Sequence, residues 1–232
     1  MSRLKKLEFN SSEQRIFFTS DTHFYHTNII RFCHRPFESV EEMNETMIER
    51  WNEKVGKDDI IFHLGDFAFC GSSQYKKLLD RLNGKIYLAL GNHDWRNINE
   101  GCWKRFEEVS QQYKIKIDEQ RIYLNHFPFL CYDRHSWQLF GHVHSGELSN
   151  DGKDIPRLSM TFPTQMDVGV DSNNFEPYSW EDIKRIIMGR IIDVEVDGKL
   201  IQGEVVSEGK DYVCVENLDG NIVRIDKQDL PE

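Results

Sequence analysis

No stretch of the 232-residue sequence approaches the ~18 consecutive apolar residues of a membrane span. The opening Met1-Ser2-Arg3-Leu4-Lys5-Lys6 has no apolar run behind it, so no secretory signal is expected. Cys-x-x-Cys pairs are missing too. The five cysteines, Cys33, Cys70, Cys102, Cys131 and Cys214, are odd in number and widely scattered. That pattern excludes a disulfide framework and a thiolate zinc knuckle, and predicts free thiols in a reducing compartment. There is no basic excess: 29 Lys and Arg against 39 Asp and Glu leave a charge of -10. Such a balance argues against a protein that coats duplex DNA or an anionic membrane. Long repeats and low-complexity stretches are also absent. A cytoplasmic protein with no membrane attachment is expected.

What is present is an ordinary globular composition, with 39% hydrophobic and 29% charged residues. After an early tail, residues 15–188 read as strands and helices in alternation. Arg15–Ser20, Asp59–Leu64 and Lys85–Leu90 are β-rich runs. Ser39 with Glu42 makes a capping box, and Val40, Met43, Met47, Trp51 and Val55 follow at helical spacing. Tyr75, Leu78, Leu79 and Leu82 predict a second amphipathic helix stopped by Asn83-Gly84, and another is expected around 100–109. Beyond it, Lys114–Ile117 and Arg121–Asn125 read as a hairpin. Trp137–Phe140 and Met166–Val170 read as strands, and Ser179 caps a last helix to Met188.

From Arg190 the style changes. Four short β-rich runs are separated by Asp197-Gly198, Glu208-Gly209 and Asp219-Gly220, strong hairpin signals. Residues 1–189 are therefore expected to form the main α/β domain, and 190–232 a small β meander or partly closed barrel. Eleven acids and five bases fall in 190–232, so most of the negative charge belongs to this appendage. Subunit contact, giving a homo-oligomer, or a wall beside the site suits it better than clamping nucleic acid.

The chemistry lies where strands end. Asp21 and His23, Asp66, Asn92 and His93, His126, then His142 and His144 each follow a predicted strand. In sheets with helices packed around them, strand ends form the rim where ligands bind. Asp-x-His and His-x-His place two side chains on one side of extended backbone, within reach of one centre. Carboxylate, imidazole and amide oxygen make a mixed N/O set suited to Mn²⁺, Fe, Zn²⁺ or Co²⁺. Seven such groups exceed what one ion needs; with one carboxylate shared they serve two.

In order, Asp21-Thr22-His23, Gly65-Asp66, Gly91-Asn92-His93-Asp94, His126 and Gly141-His142-Val143-His144 resemble the calcineurin-like metallophosphoesterase family. The stretch Ser20 to Phe37 looks like a small bacterial and phage-type phosphoesterase subgroup. The resemblance implies an αββα sandwich with two mixed sheets over residues 15–188, and two divalent ions. Mn²⁺ is the first choice among them, with Fe, Zn²⁺, Co²⁺ or Ni²⁺ as alternatives. It implies that Asp21, His23 and His144 hold the first ion, that Asp66 bridges, and that Asn92, His126 and His142 hold the second. It further implies a phosphoric ester hydrolase in which a metal-bound hydroxide attacks in line. His93 would protonate the leaving alkoxide, with Asp94 orienting that imidazole.

One departure matters. Where the family's Ser/Thr protein phosphatases carry a second acid and an arginine after Gly-Asp, this chain has Phe69 and Cys70. Phosphodiester or nucleotide-type substrates, nucleic-acid ends included, are therefore favoured. A phosphomonoesterase of the same mechanism is the alternative, and an inactive metal-binding scaffold for protein interaction a third reading. His26, Arg31 and Arg35 follow the first motif and are candidates for substrate binding, arginine forks being suited to phosphate. Phe24, Tyr25, Phe127 and Phe129 flank the motifs, and no more than one is expected to stack on a base. His63 is expected in the core, with His34 and His135 at the surface.

Overall fold

The structure is a computed structural model that describes residues 7–133, 135–144, 164–189, 191–196, 199–217 and 221–230. The first sheet-forming segments are β1 (Leu7–Phe9) and β2 (Ile16–Thr19), followed by α1 (Thr27–Phe32) and α2 (Val40–Lys54). Then come β3 (Ile60–His63), α3 (Ser72–Leu79), β4 (Lys85–Ala89), α4 (Trp95–Asn99) and β5 (Glu108–Ser110). A second group comprises β6 (Gln112–Ile117), β7 (Gln120–Asn125), β8 (Ser136–Phe140), β9 (Gln165–Asp167) and β10 (Tyr178–Ser179). The strands form two mixed five-stranded sheets, ordered β10-β2-β3-β4-β5 and β1-β6-β7-β8-β9. This is the α/β class with two mixed sheets that the sequence predicts.

Strands β2, β3 and β4 are parallel and apolar along both faces, because both faces are covered. Phe17, Ile61 and Ile86 form one row across the register. They share a core with Met43, Met47 and Trp51 of α2 and Tyr75 and Leu78 of α3. The neighbouring row, Phe18, Phe62 and Tyr87, turns to the opposite sheet. There Phe62 meets Phe9 at 5.6 Å and Tyr113 at 5.8 Å between ring centroids. The Tyr113 hydroxyl donates to the Leu88 carbonyl at 3.1 Å, so the aromatic layer carries no orphaned phenol.

Helix α2 begins as its sequence dictates: the Ser39 hydroxyl accepts from the Glu42 N–H at 3.1 Å. The Glu42 carboxylate reaches back one residue further than the box pattern requires, to the Glu38 N–H at 2.7 Å. At the far end Trp51 Nε1 donates to the Asn83 carbonyl, tying α2 to the turn after α3.

Two expectations need correction. The helix placed around 100–109 is instead the short α4, a left-handed Gly101 (φ 87), a one-turn 3₁₀ helix at Cys102–Arg105, and then β5. Only pairing with β4 makes 108–110 a strand, Leu88 lying opposite Val109, and three residues carry no readable period. The early tail likewise contains β1, which exists because it pairs in parallel with β6.

The last elements are α5 (Trp180–Met188), β11 (Ile191–Val196), β12 (Lys199–Glu208), β13 (Tyr212–Asn217) and β14 (Ile222–Asp226). The four strands form an open antiparallel sheet in chain order, a meander and not a closed barrel. Val213, Val215 and Ile225 make its small core. The turns Asp197-Gly198 and Asp219-Gly220 and the residue Arg190 lie outside the described residues. By compactness the chain falls into two units: the second takes in residues 164–166 as well as those from Glu181 onward, and the first the other described residues. Among the described residues no helix is long and apolar enough to cross a membrane.

Phe62 is fully buried between the sheets. Replacing it, as Phe62→Ala, is expected to cost about 3–5 kcal/mol. The check is a lower urea midpoint at unchanged slope; a shift under about 1 kcal/mol would show that the inter-sheet layer does not carry the main unit.

Candidate metal centre

The turns that follow β2, β3, β4, β7 and β8 bring every motif residue to one rim. Beyond the strands proper, the first two turns continue to pair: the Asp21 N–H donates to the Gly65 carbonyl, and the His23 N–H to the Asp66 carbonyl. The Val170 N–H donates to the Ser20 carbonyl, bringing the segment after β9 to the same place.

The side chains do not converge by strand pleating, as the Asp-x-His and His-x-His spacing suggests. Asp21 (φ 55), His23 (φ 49), Asp66 (φ 56), His142 (φ 73) and His144 (φ 49) all lie in the left-handed region. Asp and His visit that region more readily than most residues, yet each visit costs of order 1 kcal/mol or more. Backbones also pass very close here. A Cβ on Gly91 would run into the Asp66 carboxylate, and one on Gly141 into Ser20 and Asp21.

Two groups of ligand-type atoms result, each with all its atoms within 4.8 Å of one another: Asp21, His23 and His144, and Asp66, His126 and His142. Asp66 joins them. Its Oδ2 lies 3.6 Å from His23 Nε2 and 3.5 Å from His126 Nε2. Asn92 adds its Oδ1 at 3.0 Å from His126 Nε2.

The donor chemistry fits cations. His126 Nδ1 lies 2.8 Å from the Leu64 carbonyl, to which it can only donate, so Nε2 is the nitrogen turned toward Asn92 and Asp66. In the first group, Asp21 Oδ1 and His23 Nε2 are buried with no hydrogen-bond partner. Buried polar atoms are normally satisfied, and opposed lone pairs repel unless a positive ion lies between them. Burial, followed by the neighbouring His144, Arg35 and other imidazoles, pushes the His23 pKa well below its usual value. Its ring is therefore a neutral ligand at pH 7. Each group is thus a candidate site for a divalent ion.

His93 stands at the mouth, its side chain 46% exposed and its Nε2 4.0 Å from Asp66 Oδ2. Its backbone N–H donates to Asp66 Oδ1 at 2.9 Å. Phe69 lies beside it at 4.6 Å, and the same ring stacks on His26 at 4.0 Å and on His23 at 5.3 Å. His26 Nδ1 is also 3.4 Å from His23 Nδ1, so His26 belongs to the wall of the centre.

Asp94 does not orient the His93 imidazole. Its buried carboxylate accepts three backbone hydrogen bonds, from Asp66 and Gly91 at 2.8 Å and from Phe67 at 2.9 Å. It clamps two ligand-bearing turns together. Arg35 is also corrected: all five of its N–H groups point inward. Nε and Nη2 donate to Asp171 at 2.8 and 2.9 Å, Nη2 to the Asp21 carbonyl at 2.7 Å, and Nη1 to the Thr22 carbonyl and Met43 Sδ. A buried fork with every donor engaged cannot also grip a substrate phosphate. Arg31 is exposed, its guanidinium over the Phe32 ring.

His63 is a core residue. The Gly65 N–H donates to its Nδ1, leaving Nε2–H for the Thr22 hydroxyl, and burial lowers its pKa to about 3. Of the four flanking aromatics only Phe127 is a largely exposed ring, packed edge-on against His126 and His142 at 4.9 and 4.7 Å.

One residue escaped the sequence reading. Asp171 Oδ2 accepts from His144 Nδ1 at 2.8 Å, and its other contacts are with Arg35. Although burial opposes it, the Arg35 guanidinium and the His144 bond hold its carboxyl below the usual range. Burial likewise opposes charge on His144, but its bond to Asp171, aided by Cys33 and Asp21, raises that imidazole to about 11. The signal was available: Asp171 follows a predicted strand, as every ligand does.

A family model described as calcineurin-like phosphoesterase matches residues 14–186. The chain is 33% identical over 186 residues to the uncharacterized protein MJ1445 of Methanocaldococcus jannaschii, covering 78% of this chain and 96% of that one. It is 29% identical over 159 residues to the gene 66 protein of Mycobacterium phage L5, covering 55% of this chain and 76% of the phage protein. A crystal structure of AQ665, a protein of unknown function from Aquifex aeolicus, has a TM-score of 0.58 at 24% identity. It covers 75% of this chain and 99% of its own, and speaks for the fold alone. With its match running from before the first metal-ligand motif to beyond the last, the chain belongs to the calcineurin-like phosphoesterases, a family whose members generally depend on a pair of metal ions.

Proposed function

We propose that the protein hydrolyses phosphodiesters, including nucleotide-type diesters, with His93 protonating the leaving oxygen. The observation that carries this reading is the single Asp66 oxygen lying equally close to both ligand groups, with the His93 imidazole directly beside it. Asp21, His23 and His144 would hold one divalent ion, Asn92, His126 and His142 the other, and Asp66 both. Mn²⁺ is the first choice on the family resemblance, with Fe, Zn²⁺, Co²⁺ or Ni²⁺ as alternatives that the same mixed nitrogen and oxygen set would also hold. Two ions so held would acidify a shared water and offset charge on the phosphate oxygens.

The chain's own residues supply the rest. The backbone bond from His93 to Asp66 and the packing of its ring on Phe69 hold the imidazole at the open side, where a leaving group departs. Phe69 with His26 beside the first group, and the exposed Phe127 beside the second, give each group an aromatic neighbour that carries no charge of a carboxylate or guanidinium. Two features favour diesters over monoesters. Phe69 and Cys70 replace the acid and arginine of the protein-phosphatase pattern, and Arg35 is unavailable for the second charge of a monoester. Neither feature disfavours a singly charged diester.

A Mn²⁺-supported panel tests the reading: bis-aryl diesters, cyclic nucleotides, nucleic-acid ends and aryl or alkyl monoesters. Higher kcat/KM for diesters is expected; a preference for monoesters would overturn it, and silence on every substrate would favour a scaffold. For His93→Ala, a loss of roughly 10²–10⁴-fold is expected on alkoxide leaving groups. Nitrophenolate needs little protonation and should suffer much less, so equal losses on both would remove His93 from the acid role. For Asp66→Asn, metal analysis after dialysis should show fewer than two ions per chain. Two ions retained would refute the shared-ligand assignment.

A further inference from the structure

Among the described residues, Asp171 is a buried carboxylate beside the centre to which the proposed chemistry gives no task. It lies 27 residues from His144 and 136 from Arg35 in sequence, and both contacts are made inside the protein. The Arg35 fork takes both carboxylate oxygens, and Oδ2 also accepts from His144 Nδ1 at 2.8 Å. We infer that Asp171, held by Arg35, is a positioning residue that fixes His144 with Nδ1–H inward and Nε2 presented to the first metal group. The inference rests on the dinuclear reading.

The geometry argues it in three steps. An imidazole can ligate through either nitrogen, and which one is free depends on the hydrogen bond made by the other. With Nδ1–H held by a carboxylate, Nε2 is the nitrogen left for an ion, which would take the place of any proton there, and it points toward Asp21 Oδ1 at 3.8 Å. A carboxylate partner also raises the basicity of a ligating imidazole.

Arg35 then explains why Asp171 does not itself serve as a ligand. Asp171, His144 and Cys33 have ligand-type atoms within 4.8 Å of one another, near enough to compete for an ion. The bidentate guanidinium engages both carboxylate oxygens and keeps them turned from the centre. Its remaining N–H groups hold the carbonyls of Asp21 and Thr22, in the left-handed turn that carries Asp21 and His23. The pair thus braces all three members of the first group and touches none of the second. A site-selective effect follows.

Calorimetric titration of the full chain with Mn²⁺ tests it, using wild type, Asp171→Asn, His144→Ala and the double variant. Wild type should bind two ions. In Asp171→Asn one of them should weaken by roughly 10–100-fold and the other stay unchanged. On the His144→Ala background, the further effect of Asp171→Asn should be several-fold smaller than in wild type, because the share that runs through that imidazole is gone and only the bracing by Arg35 is left to lose. Both ions bound as in wild type, or a full further loss in the double variant, would overturn the inference while leaving the dinuclear reading intact. Wild type that binds no ion would sink both. If Asp171→Asn fails to fold, ¹⁵N spectra of the Zn²⁺-loaded wild type decide: Nδ1 of His144 protonated and Nε2 ligated supports the inference, and the reverse refutes it.

Discussion

The Asp94 carboxylate lies buried beside the candidate metal centre and accepts hydrogen bonds from three backbone N–H groups, those of Asp66, Phe67 and Gly91. Burial raises its pKa, and the three N–H groups oppose that rise by stabilising the charged form. What they gain in return is position. The turn after β3 carries the ligand shared between the two groups, and the turn after β4 carries Asn92 and His93. Neither turn is part of a helix or strand, so without Asp94 each would have to find its own partners. Because one carboxylate serves both, the spacing between Asp66 and His93 becomes a property of the backbone.

The same logic recurs on the opposite side of the rim. Asp171 and Arg35 hold the turn after β2 and the imidazole after β8, as Asp94 holds the turns after β3 and β4. Two buried carboxylates, neither in either shared-ion group, fix the backbone on which the ligands stand. The need for them follows from the strain. Five ligand residues adopt left-handed backbone, and the side chains they present are lone-pair-rich atoms that repel one another. Such an arrangement persists only where the surroundings over-determine it. The register of β2, β3 and β4, locked by aromatic rows between the sheets and apolar rows beneath the helices, supplies the rigid part of those surroundings.

That division also explains what could be read from the sequence. The clustering of the candidate residues was legible because each follows a strand, and strands with both faces covered are apolar runs with clear ends. Helix α2 was legible from its cap and its spacing. Asp94 and Arg35 were found but given the wrong partners. A sequence shows that Asp94 adjoins His93, and not that three N–H groups from two turns lie closer; it shows an arginine after the first motif, and not the carboxylate 136 residues away that turns it inward. Asp171 itself carries no local mark beyond its place after a strand. Strands β1 and β5, three residues each, exist through pairing alone, which no local pattern reports.

The replacement of an acid by Phe69 has a consequence for the proposed acid. A histidine paired with its own carboxylate is oriented by that partner and can move independently of the metal ligands. Here His93 has a different reference. Its backbone N–H binds Asp66 Oδ1, its ring nitrogen lies 4.0 Å from Asp66 Oδ2, and its ring rests on Phe69. The group that would deliver the proton is therefore registered, through its backbone, on the carboxylate that would join the ions. Phe69 also touches His23 and His26, so one apolar ring sets the face of an expected ligand and of the imidazole at the mouth. A substrate entering past that ring meets aromatic surface before it meets charge. On the proposed reading, such an approach would favour a diester, whose single charge would be offset at the centre, over a doubly charged monoester.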